Sequence, residues 1–160
     1  MSAPRDRAEQ VARLAQLNRQ FHLVVPHNRA LGLEVVEFGD GDARMRLPYS
    51  RDLVGNPDTG VLHGGAITSL MDACCGAAVF MKLPMPVPIA TLDLRIDYLR
   101  PADPGRDVLA HATCFRLTRN VAFVRGVAYH EDEADPVASA AGAFMLATAT
   151  GRGSPRSPAP

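Results

Sequence analysis

A histidine followed by two glycines, His63-Gly64-Gly65, and a lone carboxylate nine residues later, Asp72, are the residues whose types and spacing could do chemistry. Glycines opening a helix leave backbone N–H groups unpaired and let a ligand approach them closely, so the triplet can stabilise a developing oxyanion. A carboxylate can activate water as a general base or attack a carbonyl carbon itself. An ionised carboxylate among apolar residues is costly without a partner or a solvated cleft, and Asp72 is flanked by Met71, Ala73, Cys74 and Cys75.

These residues belong to a stretch from Asn56 to Lys82 that reads as a turn-rich loop feeding a buried helix. Ile67, Leu70, Met71, Cys74, Cys75, Ala78 and Val79 recur at helical spacing, and the other face is only weakly polar, which predicts a helix enclosed by protein. Along such a helix nine residues correspond to roughly 13 Å and half a turn, so His63 and Asp72 of one chain cannot share a substrate atom. Two chains related by a two-fold axis can, which predicts an obligate dimer with two equivalent composite sites.

The surrounding elements follow from periodicity. Residues 5–24 carry an amphipathic helical pattern ending before Pro26, so residues 1–29 read as an N-terminal helix and linker. Leu31, Leu33, Val35 and Val36 predict a strand that turns at Gly39-Asp40-Gly41 into a second strand bearing Ala43, Met45 and Leu47. Tyr49 to Gly60 reads as loop, and Pro84, Pro86 and Pro88 end the long helix. Ile89 to Leu99 alternates Leu92, Leu94, Ile96 and Tyr98 with Thr91, Asp93, Arg95 and Asp97, which puts the latter four on one exposed face. Val108 to Leu117, Val121 to His130 and Val137 to Thr148 predict three further strands, and residues 151–160 a disordered tail. A sheet that follows and wraps one helix is an α+β domain, spanning residues 30–150.

Composition narrows the function. The 17 basic and 17 acidic residues cancel, which removes the basic field that nucleic-acid binding requires. No signal peptide and no apolar run of about 20 residues is evident, so a cytoplasmic location away from membranes is expected. The three cysteines show neither a disulfide nor a metal spacing, and Cys74 and Cys75 read as packing residues rather than nucleophiles. His22, His27, His111 and His130 likewise lack metal-ligand spacing.

Asn56, Gly60, His63-Gly64-Gly65, Asp72, the strand TLDLRIDYLRP from Thr91 to Pro101 and the later RLTRN from Arg116 to Asn120 together resemble the hotdog-fold thioesterases, particularly the phenylacetyl-CoA thioesterase (PaaI-type) group. The resemblance, over residues 30–150, implies a sheet of five to six antiparallel strands around one long helix, to which the N-terminal helix read from periodicity is extra, and a homodimer or homotetramer hydrolysing acyl-CoA to a carboxylic acid and free CoA without a cofactor. It assigns the oxyanion donor to Gly64, the reacting carboxylate to Asp72, a water-positioning hydroxyl to Thr91 and an orienting amide to Asn56; the residue chemistry by itself has His63 bracing the turn by hydrogen bonding and Gly65 beside the substrate. The family pattern has its Asn three residues before the Gly, whereas Asn56 and Gly60 are four apart. CoA phosphates are expected at Arg119 with Asn120, and at Arg100 and Arg116. A non-catalytic acyl-CoA sensor would keep the groove but not a carboxylate in a dry helix, and an enoyl-CoA hydratase would need its Asp and His close together.

Overall fold

The structure, a computed structural model, describes residues 12, 15, 16 and 18–147. Residues 18–24 are helical, as expected for the end of the N-terminal helix; the rest of that helix lies largely, and the 151–160 tail wholly, outside the described residues. A short helix, Pro26–Ala30, follows. Eight strands come next in chain order: β1 (Glu34–Phe38), β2 (Asp42–Leu47), β3 (Val54–Asn56), β4 (Val61–Leu62), β5 (Ile89–Tyr98), β6 (Val108–Leu117), β7 (Val121–Tyr129) and β8 (Ala138–Leu146). The central helix, Gly64–Lys82, separates β4 from β5. Leu31 sits in the turn before β1 rather than in the strand.

Six strands form one sheet in the order β1-β2-β6-β7-β8-β5, every neighbouring pair antiparallel. The stretch expected to be loop carries a 3-10 turn, Arg51–Leu53, and the two-stranded β3–β4 ladder, elements too short for sequence periodicity to register. Gly41, at φ 76, supplies the left-handed residue that lets β1 double back into β2.

The core lies between the helix and the sheet's inner face. All seven residues expected on the helix's apolar face are at most 2% exposed, packed with Met45, Leu47, Val108, Val124 and Phe144 from the strands. Truncating one of them, Leu70→Ala for example, removes a side chain with no solvent contact, at a cost of about 2–5 kcal/mol. The helix ends at Leu83, whose extended backbone is what a following proline demands. The opposite face is open within the chain: Thr68 is exposed, Asp72 and Gly76 are half-buried, and Phe80 is 47% exposed. The expectation of a fully enclosed helix is therefore corrected, because this one sheet covers one side only. The helix is also apolar and long enough to cross a bilayer by composition, contrary to the sequence reading, although half of its most apolar window is buried in this core.

β5 departs from simple alternation. Thr91 pairs with Phe144 but Asp93 pairs with Ala143, so a β-bulge leaves Leu92 as the extra residue, 55% exposed. Thr91 thus shares the helix-facing side with Leu94, Ile96 and Tyr98, while Asp93, Arg95 and Asp97 turn to the outer face. This corrects the single polar face expected for Thr91, Asp93, Arg95 and Asp97. Gly142 accommodates the bulge: a Cβ there would lie 2.6 Å from the Asp93 carbonyl oxygen.

The two sheet edges differ. Along β1, Asn18 accepts from Val35 N–H at 2.6 Å and donates to Val35 C=O at 3.0 Å, and His22 bonds Leu33 C=O at 2.6 Å. The N-terminal helix therefore covers that edge with side-chain amide and imidazole groups. β5, the other edge, has no strand beyond it among the described residues.

Candidate active site

His63 ends β4's short run in an extended conformation (φ -63, ψ 133) and caps the central helix, with Nδ1 accepting the Gly65 N–H at 2.9 Å. A nitrogen accepting from an amide carries no proton, so the neutral ring bears its hydrogen on Nε2. His63 accordingly holds the turn through this bond. Gly65's N–H, expected to be available to a substrate, is consumed by this bond, because Nδ1 lies within reach of the second residue of the first turn. Gly64 is the first helical residue, with no earlier turn to receive its N–H, and it remains the outward donor.

Asp72 is half-buried and accepts the Thr91 hydroxyl at Oδ1, 2.8 Å away. The bond leaves Oδ2 and the remaining Oδ1 lone pair for a second partner. Burial, reinforced by the Asp72 charge, pushes the neighbouring Cys75 thiol up to about 12. Burial also raises Cys74 strongly, and Cys75 after it, so both thiols stay protonated. Cys74 spends its S–H on Ala43 C=O at 3.3 Å, which makes it a packing residue.

Asp72 stands eight residues beyond Gly64 on one helix, roughly 12 Å along the axis, so one chain does not bring donor and carboxylate together. Asn56 lies in β3, where Oδ1 accepts from Asp58 N–H at 3.0 Å and the backbone carbonyl accepts from Gly60 N–H at 2.8 Å. Its side-chain oxygen thus holds its own turn, leaving only the amide nitrogen for a ligand.

Two grooves flank the turn. One of about 410 Å³ is lined by Leu62, Gly64, Ile67, Tyr98 and Leu99, with Arg100 at its edge. The other, about 380 Å³, is lined by His27, Leu31, Leu53, His63, Gly65, Ala66 and Ser69. A larger cavity of about 600 Å³, between Tyr49, Arg51, Asp58 and Pro104, is lined by neither Gly64 nor Asp72. Arg116, Arg119 and Asn120 are exposed at the β6–β7 turn. Arg100 is held by Asp135 at 2.9 Å and Asp103 at 3.4 Å, so a phosphate there would compete with two carboxylates. Among the described residues no group of three or more His, Cys, Asp or Glu side chains could hold a metal.

Sequence reasoning passed over Thr68 and treated Tyr98 only as an apolar strand position. Tyr98's hydroxyl lies 2.6 Å from Gly64 C=O and 2.7 Å from the Thr68 hydroxyl. The available signal was that Thr68 falls four residues from both Gly64 and Asp72, on one helical face. Ser69, also passed over, donates to Gly65 C=O at 3.0 Å and meets His27 at 3.2 Å, tying the short helix to the turn.

Residues 59–137 match the sequence profile of the thioesterase superfamily. The medium/long-chain acyl-CoA thioesterase YigI of Escherichia coli is 32% identical over 152 residues, 87% of this chain and 96% of YigI. A Pseudomonas aeruginosa protein of known crystal structure is 47% identical with a TM-score of 0.73, covering 82% of this chain and 97% of its own. A mutant of the phenylacetic acid degradation protein PaaI from Thermus thermophilus is 29% identical with a TM-score of 0.66, covering 76% of this chain and 98% of its own.

Proposed function

The chain belongs to the thioesterase superfamily, in its hotdog-fold, PaaI-type group, and on that premise we propose that it hydrolyses acyl-CoA thioesters to a carboxylic acid and free CoA at a site shared between two subunits. The observation that carries the reading is the separation of the two reacting groups: an outward Gly64 N–H at a helix N-terminus, and Asp72 held by Thr91 far along the same helix. A second copy, related by a two-fold axis, supplies the carboxylate that one chain cannot deliver to its own turn. Support for a dimer through β5 comes from that uncovered edge and from Phe80, Leu92 and Leu99, which are 47%, 55% and 56% exposed.

In the composite site the thioester carbonyl oxygen points at Gly64 N–H, where the helix dipole favours negative charge as the tetrahedral intermediate forms. The Asp72 carboxylate of the other copy delivers water as general base or attacks the carbonyl carbon. Thr91 orients the carboxylate, and the His63 Nε2–H is available to the substrate or water. The CoA phosphates meet Arg119, Asn120 and Arg116 at the rim, with Arg100 a competing site. The enzyme works in the cytoplasm as a homodimer or a homotetramer built from such dimers.

Free-thiol release from a panel of aromatic and short- to long-chain acyl-CoA substrates tests the reaction, with Asp72→Ala inactive. Chain mixing tests the shared site. Gly64→Pro deletes the donor N–H with a residue favoured at a first helical position, and His63's extended backbone suits a following proline. Each of Gly64→Pro and Asp72→Asn alone is inactive; subunits exchanged between them recover about a quarter of the wild-type rate, since mixed dimers carry one intact site. No recovery after demonstrated exchange rules the shared site out.

A further inference from the structure

Two hydroxyls reach from β5 to the central helix, and only one has a part in the chemistry so far. Thr91 meets Asp72; at the far end of the strand, Tyr98 donates to Gly64 C=O at 2.6 Å. The single Tyr98 hydrogen being spent there, the Thr68 hydroxyl 2.7 Å away donates to the Tyr98 oxygen. The result is a directed chain: Thr68 O–H to Tyr98, Tyr98 O–H to Gly64 C=O, and, across the same peptide unit, Gly65 N–H to His63 Nδ1 at 2.9 Å. Hydrogen bonds polarising one another along such a chain strengthen together.

We infer that Tyr98 is a positioning residue for the oxyanion turn: its hydroxyl, oriented by Thr68, clamps the Gly64–Gly65 peptide and thereby aims the Gly64 N–H. The inference rests on the thioesterase reading above. The Gly64–Gly65 peptide is gripped on its oxygen by Tyr98 and on its hydrogen by His63, so rotation about the Gly64 backbone, otherwise the freest of any residue type, is blocked from both ends. The fit is close, since a Cβ on Gly64 would lie 3.2 Å from the Tyr98 oxygen. The bulge at Leu92 makes both contacts possible, because without it Thr91 and Tyr98 would face opposite sides of the sheet. One edge strand thus orients the carboxylate at one end and the oxyanion donor at the other.

The test measures decanoyl-CoA hydrolysis by free-thiol release in Tyr98→Phe, Thr68→Val and the double variant. Both substitutions keep shape and remove only the hydroxyl. Each single variant is expected to lose about tenfold in kcat with KM within about twofold, because a misaimed donor costs transition-state rather than ground-state binding. The double variant loses no more than the worse single one, since both break one chain. Thermal unfolding separates this from a merely structural role: a lowered Tm with kcat unchanged overturns the inference, as does full additivity. If Tyr98→Phe fails to fold, Thr68→Val, at an exposed helix position, carries the same expectation. Turnover in the wild type that neither variant alters overturns this inference alone; a wild type without turnover on any acyl-CoA overturns the thioesterase reading and this inference with it.

Discussion

The Thr91 hydroxyl sits 2.8 Å from the Asp72 carboxylate, donated by a strand residue that simple alternation would have turned the same way as Asp93, Arg95 and Asp97. The bulge at Leu92 separates them, so the carboxylate is held by one hydroxyl and not by a charged strand face. Thr91→Val keeps the shape and removes the donor. It is expected to lower kcat about 10- to 100-fold, while Thr91→Ser stays within about threefold of wild type. Thiol-release kinetics check this, and an unchanged kcat in Thr91→Val would remove Thr91 from the site.

His63 also stabilises the fold, through the Gly65 N–H bond at the helix start. His63→Ala is expected to cost about 1 kcal/mol in urea unfolding, the usual worth of an N-cap. His63→Asn, a good capping residue, recovers most of that stability. Equal losses in the two variants would mean that the imidazole acts by packing instead.

Cys75 feels the charge of Asp72, and Cys74 is buried on the sheet side of the same helix, yet neither thiol has the means to react. With Cys75 pushed up to about 12 by burial and the Asp72 charge, almost no thiolate exists at neutral pH. Incubating the folded protein with iodoacetamide at pH 8 is expected to leave the thioesterase rate unchanged and both thiols unmodified by mass spectrometry. Rapid inactivation with an adduct on either residue would overturn the packing assignment.

A pH signature of stability comes from the outer face of the sheet. Asp42 accepts the Thr113 hydroxyl at 2.7 Å and meets His111 at 3.1 Å; these partners, the Thr113 bond foremost, hold it below its ordinary value of 3.8. A carboxyl depressed in the folded state adds stability that is full above its unfolded value and is lost as the pH falls through the folded one. Thr113→Val is therefore expected to cost about 0.5–1 kcal/mol at pH 7, allowing for a carboxylate that is nearly half exposed. That difference shrinks as the pH drops below 3.8. A gap between the two proteins that persists unchanged into acid would assign the loss to packing.

Much of the fold was legible because its signals are local. The helix boundaries were written in His63-Gly64-Gly65 and in Pro84, and the seven apolar positions from Ile67 to Val79 were read correctly because helical periodicity depends on near neighbours alone. Strands β2 and β6 to β8 followed from alternation in the same way. The β3–β4 pair and the 3-10 turn were missed, being shorter than any period can show.

By itself the sequence determined the α+β class, the helix that carries Gly64 and Asp72, and, through its motifs, the family. It also determined that His63 and Asp72 cannot share a substrate atom within one chain, since helical rise depends on residue count alone. Only the tertiary structure decided which groups remain available. Gly65's N–H was removed from the site by His63, Thr91 was brought to Asp72 by the bulge, and Tyr98 became the partner of Gly64 and Thr68. The physical reason is common to all three. A hydrogen bond is settled within a few tenths of an ångström by how separate elements pack, and strand register, which one extra residue reverses, is not a property of the strand alone.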